Sequence, residues 1–225
     1  AARFPDNNAD RGFWLTPTKG GLATITAIPA TEIKWVDDDA DAGTADGTED
    51  HPYVTVADAV AAIAARGLVK VKPGTYDAGT VTDGGKVCRV SLSKDVAIRS
   101  TDGAEKTVLK GGSDVYAIVL SDDATNVRYA QVQGFTLTGC ANDPSKDADQ
   151  VTTGAAWLCG YYEAGDNATA RGYSEGVHLT DSVVSNNVAI RACFGGWLER
   201  CLLIDNFTTV ANMNTKTSGK RGTQA

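Results

Sequence analysis

A short motif that occurs twice late in the chain constrains its fold more than any other stretch. Leu179, Ser182, Val184 and Asn187 are followed nineteen residues later by Leu198, Cys201, Leu203 and Asn206, so apolar, small, apolar and Asn recur at the same four offsets. Val132, Phe135, Leu137 and Cys140 fall on those offsets one insertion earlier. Units this short, with turn residues between brief apolar runs and no helix inside, suit a solenoid in which each turn of chain stacks on the last. Stacking sets like residue above like. The apolar positions then merge into one core, and Asn187 and Asn206 form a hydrogen-bonded ladder at a bend.

The same register orders the outward positions. Asp181 aligns with Arg200, Thr180 with Glu199, and His178 with Trp197, which brings His178, Asp181, Trp197, Glu199 and Arg200 into one surface patch. Two readings stay open. One is a rung-to-rung ion pair worth about 0–1 kcal/mol beside a half-buried Trp. The other is a carbohydrate-binding or catalytic surface.

Upstream, residues 51–76 read as a helix running into a strand and a turn. Thr55 is a good N-cap, and Asp58 three residues on can return the bond and complement the helix dipole. Ala59, Val60 and Ile63 share a face and Gly67 ends the helix, giving a span of about 56–66. So short a helix with so thin a polar face is a lid on something apolar. Leu68 to Val71 is strand-like, and Lys72, Pro73, Gly74 and Thr75 form a turn.

These residues carry a resemblance. The run WVDDDADAGTADGTEDHPYVTVADAVAAIAARGLVKVKPGTY resembles the N-terminal opening of right-handed parallel β-helix proteins of the pectin lyase-like superfamily, in particular its bacterial secreted and surface group. The likeness is strong over residues 33–112 and weaker over 127–210. It implies an all-β fold, a right-handed parallel β-helix (solenoid) with a short N-terminal capping α-helix, in which VKPGTY begins the first rung. Such coils carry lyases, hydrolases, epimerases and adhesins alike, so fold alone does not select an activity. The polygalacturonase-like members use Asn-x-Asp, Asp-Asp, Gly-His-Gly and Arg-Ile-Lys motifs. This chain has Asp122-Asp123 in a turn-like context and lacks Gly-His-Gly and Arg-Ile-Lys, so no catalytic residue is assigned.

Composition narrows the partners. A net charge of -7 without a basic stripe argues against nucleic acid, and no apolar run is long enough for a membrane span. The Ala-Ala start fits a processed secreted or cell-surface protein. Five Cys with no metal-ligand spacing read mostly as small core residues, with one or two disulfides as the alternative.

Three segments remain. Residues 1–32 form a leader, apolar on both faces around Leu22 to Ile28, that runs along the coil's outside or pairs with a neighbouring molecule. Residues 33–225 form the β-helix domain. In the loop at 37–50, Asp37, Asp39 and Asp41 alternate; a calcium ion held by these carboxylates and a solvated turn are both compatible with them. Residues 141–176 read as an insertion whose Trp157, Tyr161 and Tyr162 offer a sugar-stacking platform or merely anchor the loop. The polar tail supplies no cap to the last rung, so either the protein continues beyond residue 225 or another molecule stacks there. The chain is therefore expected to be an extracellular structural, adhesive or fibre-forming module that stacks on itself. A polysaccharide lyase, glycoside hydrolase or glycan-binding domain is the alternative.

Overall fold

The computed structural model describes residues 13–16, 24–27, 30–83, 85–120, 130–141, 153–157, 177–188, 191–194 and 197–207. Strands β1 (Phe13–Thr16) and β2 (Thr24–Ala27) come first, then a 3-10 turn (Ala30–Glu32), β3 (Ile33–Val36) and helix α1 (Val56–Ala62). There follow β4 (Gly67–Val71), β5 (Gly74–Tyr76), β6 (Val81–Asp83), β7 (Lys86–Leu92), β8 (Val96–Ser100), β9 (Thr107–Lys110) and β10 (Tyr116–Leu120). The later strands are β11 (Ala130–Gln133), β12 (Thr136–Thr138), β13 (Thr153–Trp157), β14 (Val177–Thr180), β15 (Val183–Ser185), β16 (Arg191–Phe194), β17 (Trp197–Glu199) and β18 (Leu202–Ile204).

The described residues are all-β apart from α1 and the 3-10 turn, and the three larger sheets are built mainly of parallel pairs. One sheet runs β3-β4-β8-β11-β14-β17, a second β5-β9-β12-β15-β18, and a third β6-β7-β10-β13-β16. From β4 onward the chain visits these sheets in rotation, with β6 and β7 both in the third sheet on the first turn and one strand in each sheet thereafter, so that from β8 three consecutive strands make a rung. Neighbouring rungs pair in parallel, and in register except for a shift between Thr153 and Ala156 where β13 meets β16; among the described strands only β6 on β7, and β1 on β2, are antiparallel. The rungs share one core through Val69, Ile98, Val132 and Leu179 in the first sheet and Leu109, Leu137 and Val184 in the second.

The nineteen-residue offset is the observed register. Val132 pairs with Leu179 and Leu179 with Leu198, while Leu137, Val184 and Leu203 form a second column. Left-handed residues turn the corners: Gly134 (φ 79°), Asp181 (50°) and Arg200 (53°) after the first sheet, Gly139 (70°), Asn186 (54°) and Asp205 (53°) after the second. Gly, Asn and Asp accept that conformation at little cost, whereas Arg200 does so against about 1 kcal/mol of steric opposition.

The Asn ladder forms beside the second corner. Asn187, 1 % exposed, donates through Nδ2 to Asn206 Oδ1 at 2.9 Å and to the carbonyls of Leu137 (3.1 Å) and Ser185 (2.9 Å). Its own Oδ1 accepts the Cys140 N–H at 3.0 Å, and Asn206 Nδ2 donates to the Val184 carbonyl at 2.8 Å. Backbone groups that a tight corner leaves unpaired are thereby satisfied by side chains.

Helix α1 starts as its sequence predicts. Thr55 Oγ1 accepts the Asp58 N–H at 3.1 Å and donates to Asp58 Oδ2 at 2.6 Å. It ends earlier than expected, at Ala62 with Ile63 as C-cap, because Lys94 Nζ donates to the Ile63 carbonyl at 2.8 Å and Arg66 takes the left-handed conformation (φ 69°). Gly67 is the first residue of β4. A Cβ there would meet Ile63 Cγ1 at 2.4 Å and the Glu32 carbonyl oxygen at 2.9 Å, so close packing explains this glycine. Val56, Ala59, Val60 and Ile63 join the core, and α1 packs on β3, β4 and β7.

Other boundaries differ too. The leader contains a paired hairpin: Phe13 faces Ala27 and Thr16 faces Thr24, which satisfies backbone groups that a lone strand would leave open. The expected insertion at 141–176 holds a strand of the stack, since β13 pairs with both β10 and β16, and Ala141 bridges Ser113 and Val188. The turn expected at 72–75 is confined to Lys72 and Pro73, with Gly74 already in β5.

The first rungs are dry on both sides. Val69 and Val71 face the core, yet Leu68 (2 % exposed) and Lys70 (8 %) on the opposite side of β4 are buried as well. Ile33, Leu68 and Ala97 stand in one column across β3, β4 and β8 and form a small apolar cluster apart from the main core. In the next column Lys70 Nζ lies 4.6 Å from the centre of the Trp35 ring.

Candidate functional site

The outward patch expected from the repeat is assembled at the far end of the six-stranded sheet. Pairing of β14 with β17 sets His178 beside Trp197 and Thr180 beside Glu199, and β11 adds Gln131 and Gln133 to the same columns. Asp181 and Arg200 follow at the corner. Arg200 grips Asp181 with both arms of its guanidinium, Nε to Oδ1 at 2.5 Å and Nη2 to Oδ2 at 2.7 Å, and its Nη1 pairs with the Glu199 carboxylate. From the preceding rung Gln133 Nε2 donates to Asp181 Oδ2 at 2.8 Å. Gln133 therefore belongs to the row, and its alignment with Thr180 was available once Val132 had been matched to Leu179.

Electrostatics limit what this row can do. The Arg200 hydrogen bonds, with help from Gln133, hold the Asp181 carboxyl below the usual carboxylate range. A general acid must still carry its proton near neutrality, so an ionised Asp181 suits holding a partner or bracing a corner and not proton donation. Arg200 serves the carboxylates of both Asp181 and Glu199, and the Glu199 side chain, 49 % exposed, lies at the rim of the row.

Of the aromatic half of the expected glycan surface, Trp157 is in β13, whose partner strand β16 lies in a different sheet from the strands that carry His178 and Trp197. Tyr161 and Tyr162 lie outside the described residues, as do Asp122 and Asp123.

In the acidic loop, the carboxylates of Asp37, Asp38 and Asp39 gather with oxygens within 4.8 Å of one another. Asp41 is not among them; its Oδ1 accepts the Gly43 N–H at 2.9 Å in a local turn. Protein donors already address the trio. Lys72 Nζ lies 3.2 Å from Asp37 Oδ2, the Asp39 N–H bonds to Asp37 Oδ1 at 3.2 Å, and the Thr75 N–H bonds to Asp38 Oδ2 at 2.7 Å. Asp38 thus caps the start of β5, and Gly74 leaves it room, since a Cβ there would stand 2.0 Å from Asp38 Oδ1. The trio offers a hard cation a start on an oxygen shell, but the geometry is explained by Lys72 and the two N–H groups.

The described cysteines are thiols. Cys88 and Cys140 are buried and Cys193 and Cys201 half-buried, and desolvation pushes Cys88, Cys140 and Cys193 up to about 12, which suits inert core residues. Among the described residues no helix is long and apolar enough to cross a membrane. No protein-family model matches the chain, and neither a curated protein nor a solved structure shows detectable similarity to it.

Proposed function

We propose that the chain is a right-handed parallel β-helix that serves as an extracellular structural or adhesive module and stacks on further copies of itself. The observation that carries this reading is the in-register stack. Each rung offers the next one three parallel strand edges, an apolar column and, from Asn187 on, a side-chain amide ladder. On the last described rung Leu198, Leu202, Ile204 and Phe207 are 38–61 % exposed: Leu198 continues the core column of Leu179, and Leu202 and Ile204, on either side of the core position Leu203, add exposed apolar surface beside it. The row at Asp181 and Arg200 fits the same role, as a polar brace between rungs on an acidic surface. Light scattering after size exclusion over a wide range of concentrations tests the reading. A mass that grows with concentration into open-ended species is expected; a monomer at every concentration that cleaves or binds a polysaccharide would instead establish the carbohydrate-active alternative.

A further inference from the structure

The outer face of the first rungs is drier than one sheet can make it. Leu68 and Ala97 point away from the main core and are 2 % and 0 % exposed, and Ile33 is the one described apolar neighbour packed with them. Side chains standing on a single sheet face shield one another only at their flanks, so burial this complete requires a second layer above them. The same dryness reaches the adjoining column, where Lys70 is 8 % exposed and desolvation lowers the Arg99 guanidinium from its ordinary value.

We propose that the β1–β2 hairpin of the same chain is that layer, laid across β3, β4 and β8 over Leu68 and Ala97. Three observations single it out. Its tether is short: Ala27 and Ile33 are six residues apart, at most about 20 Å of chain, and β8 lies two strands from β3, about 10 Å. Its composition is right, since Phe13, Trp14, Leu15 and Ile25 sit in the paired segments. It also needs a surface, because an isolated two-stranded hairpin is marginal in water. The sequence at 142–152, rich in Asp, Asn, Lys and Ser, has no comparable apolar content to bury. The leader is then an internal strap on the first rungs, and contacts between copies are to be sought at the other end of the stack.

The test is site-directed photo-cross-linking in the full chain. Phe13 is replaced by p-benzoylphenylalanine, isotopically heavy and light chains are mixed, and the products are mapped by peptide mass. Cross-links within one isotope class to peptides covering residues 67–71 or 96–99 are expected. Cross-links between heavy and light chains, or none to those peptides, would overturn the assignment. An independent readout is acylation of Lys70 in Trp14→Asp, with exposed Lys106 as internal control: Lys70 labelling should rise severalfold while Lys106 stays constant, and an unchanged Lys70 would count against the strap.

Discussion

Around β4, four consecutive residues, Leu68 to Val71, are buried, and α1 closes over the adjoining core. Around β18, Leu202 and Ile204 stand 54 % and 45 % exposed, Leu203 and Cys201 are only partly buried against the core, and polar contacts add to the hold: the Asn187–Asn206 ladder at one corner and the Asp181–Arg200 pair at the other. The two regions share one register and differ in what stabilises it. Where apolar burial is double-sided, the corner between β8 and β9 is longer, running from Thr101 to Lys106 and closed by Ser100 Oγ, which accepts the Asp102 and Gly103 N–H groups. Where burial thins, short corners with left-handed residues and paired side chains keep the rungs aligned.

That contrast can be broken in stages. Phe135 is the largest fully buried side chain and sits between the two regions, so Phe135→Ala should cost about 3–5 kcal/mol in chemical denaturation. A loss below about 1 kcal/mol would mean that the midsection core is not shared between rungs. Next, Leu68→Ala should cost about 2–4 kcal/mol, whereas Leu202→Ala should stay within about 0.5 kcal/mol. Equal costs would erase the difference in burial on which the comparison rests. Asn187→Leu should then lose about 2 kcal/mol by stranding the Cys140 N–H and the Leu137 carbonyl, and hydrogen exchange should accelerate in β15 and β18 before β4 and β8. Uniform acceleration would show that the ladder does not act locally.

The smallest effect concerns pH. The folded Asp181 carboxyl titrates below its unfolded value of about 3.9, so its pairing stabilises the fold above that pH and the contribution fades as pH falls through the lower folded value. The side chains are 35 % and 41 % exposed, which limits the gain to below about 1 kcal/mol. Asp181→Asn should therefore flatten the acid limb of the stability curve slightly and leave the neutral region nearly unchanged. A large shift at neutral pH would reveal a role beyond the corner.

Much of this architecture is legible in the residues. The offsets shared by Leu179 and Leu198, and by Asn187 and Asn206, are the true register, and Thr55 with Asp58 marks the helix start. The apolar, aromatic run at 155–162 suggests a strand, but its place in the stack is not legible, because Thr153–Trp157 lacks the apolar-small-apolar-Asn signature and no offset search aligns it. Asp38 was passed over for Asp41 because alternation groups residues two apart, while the contact that matters joins Asp38 to Thr75, thirty-seven positions away. The hairpin and the dry outer face escaped notice for a related reason: LVKV reads equally as a strand covered on one side or on both, and only the folded chain distinguishes them.

Stacking of copies through the last described rung is the central proposal. Light scattering of the intact chain beside the double variant Leu202→Lys, Ile204→Lys, which places charge on the terminal edge strand, measures this in one experiment. The parent should grow in mass with concentration and the variant should remain monomeric with unchanged circular dichroism. A parent that stays monomeric, or a variant that associates as readily, would contradict stacking through this end.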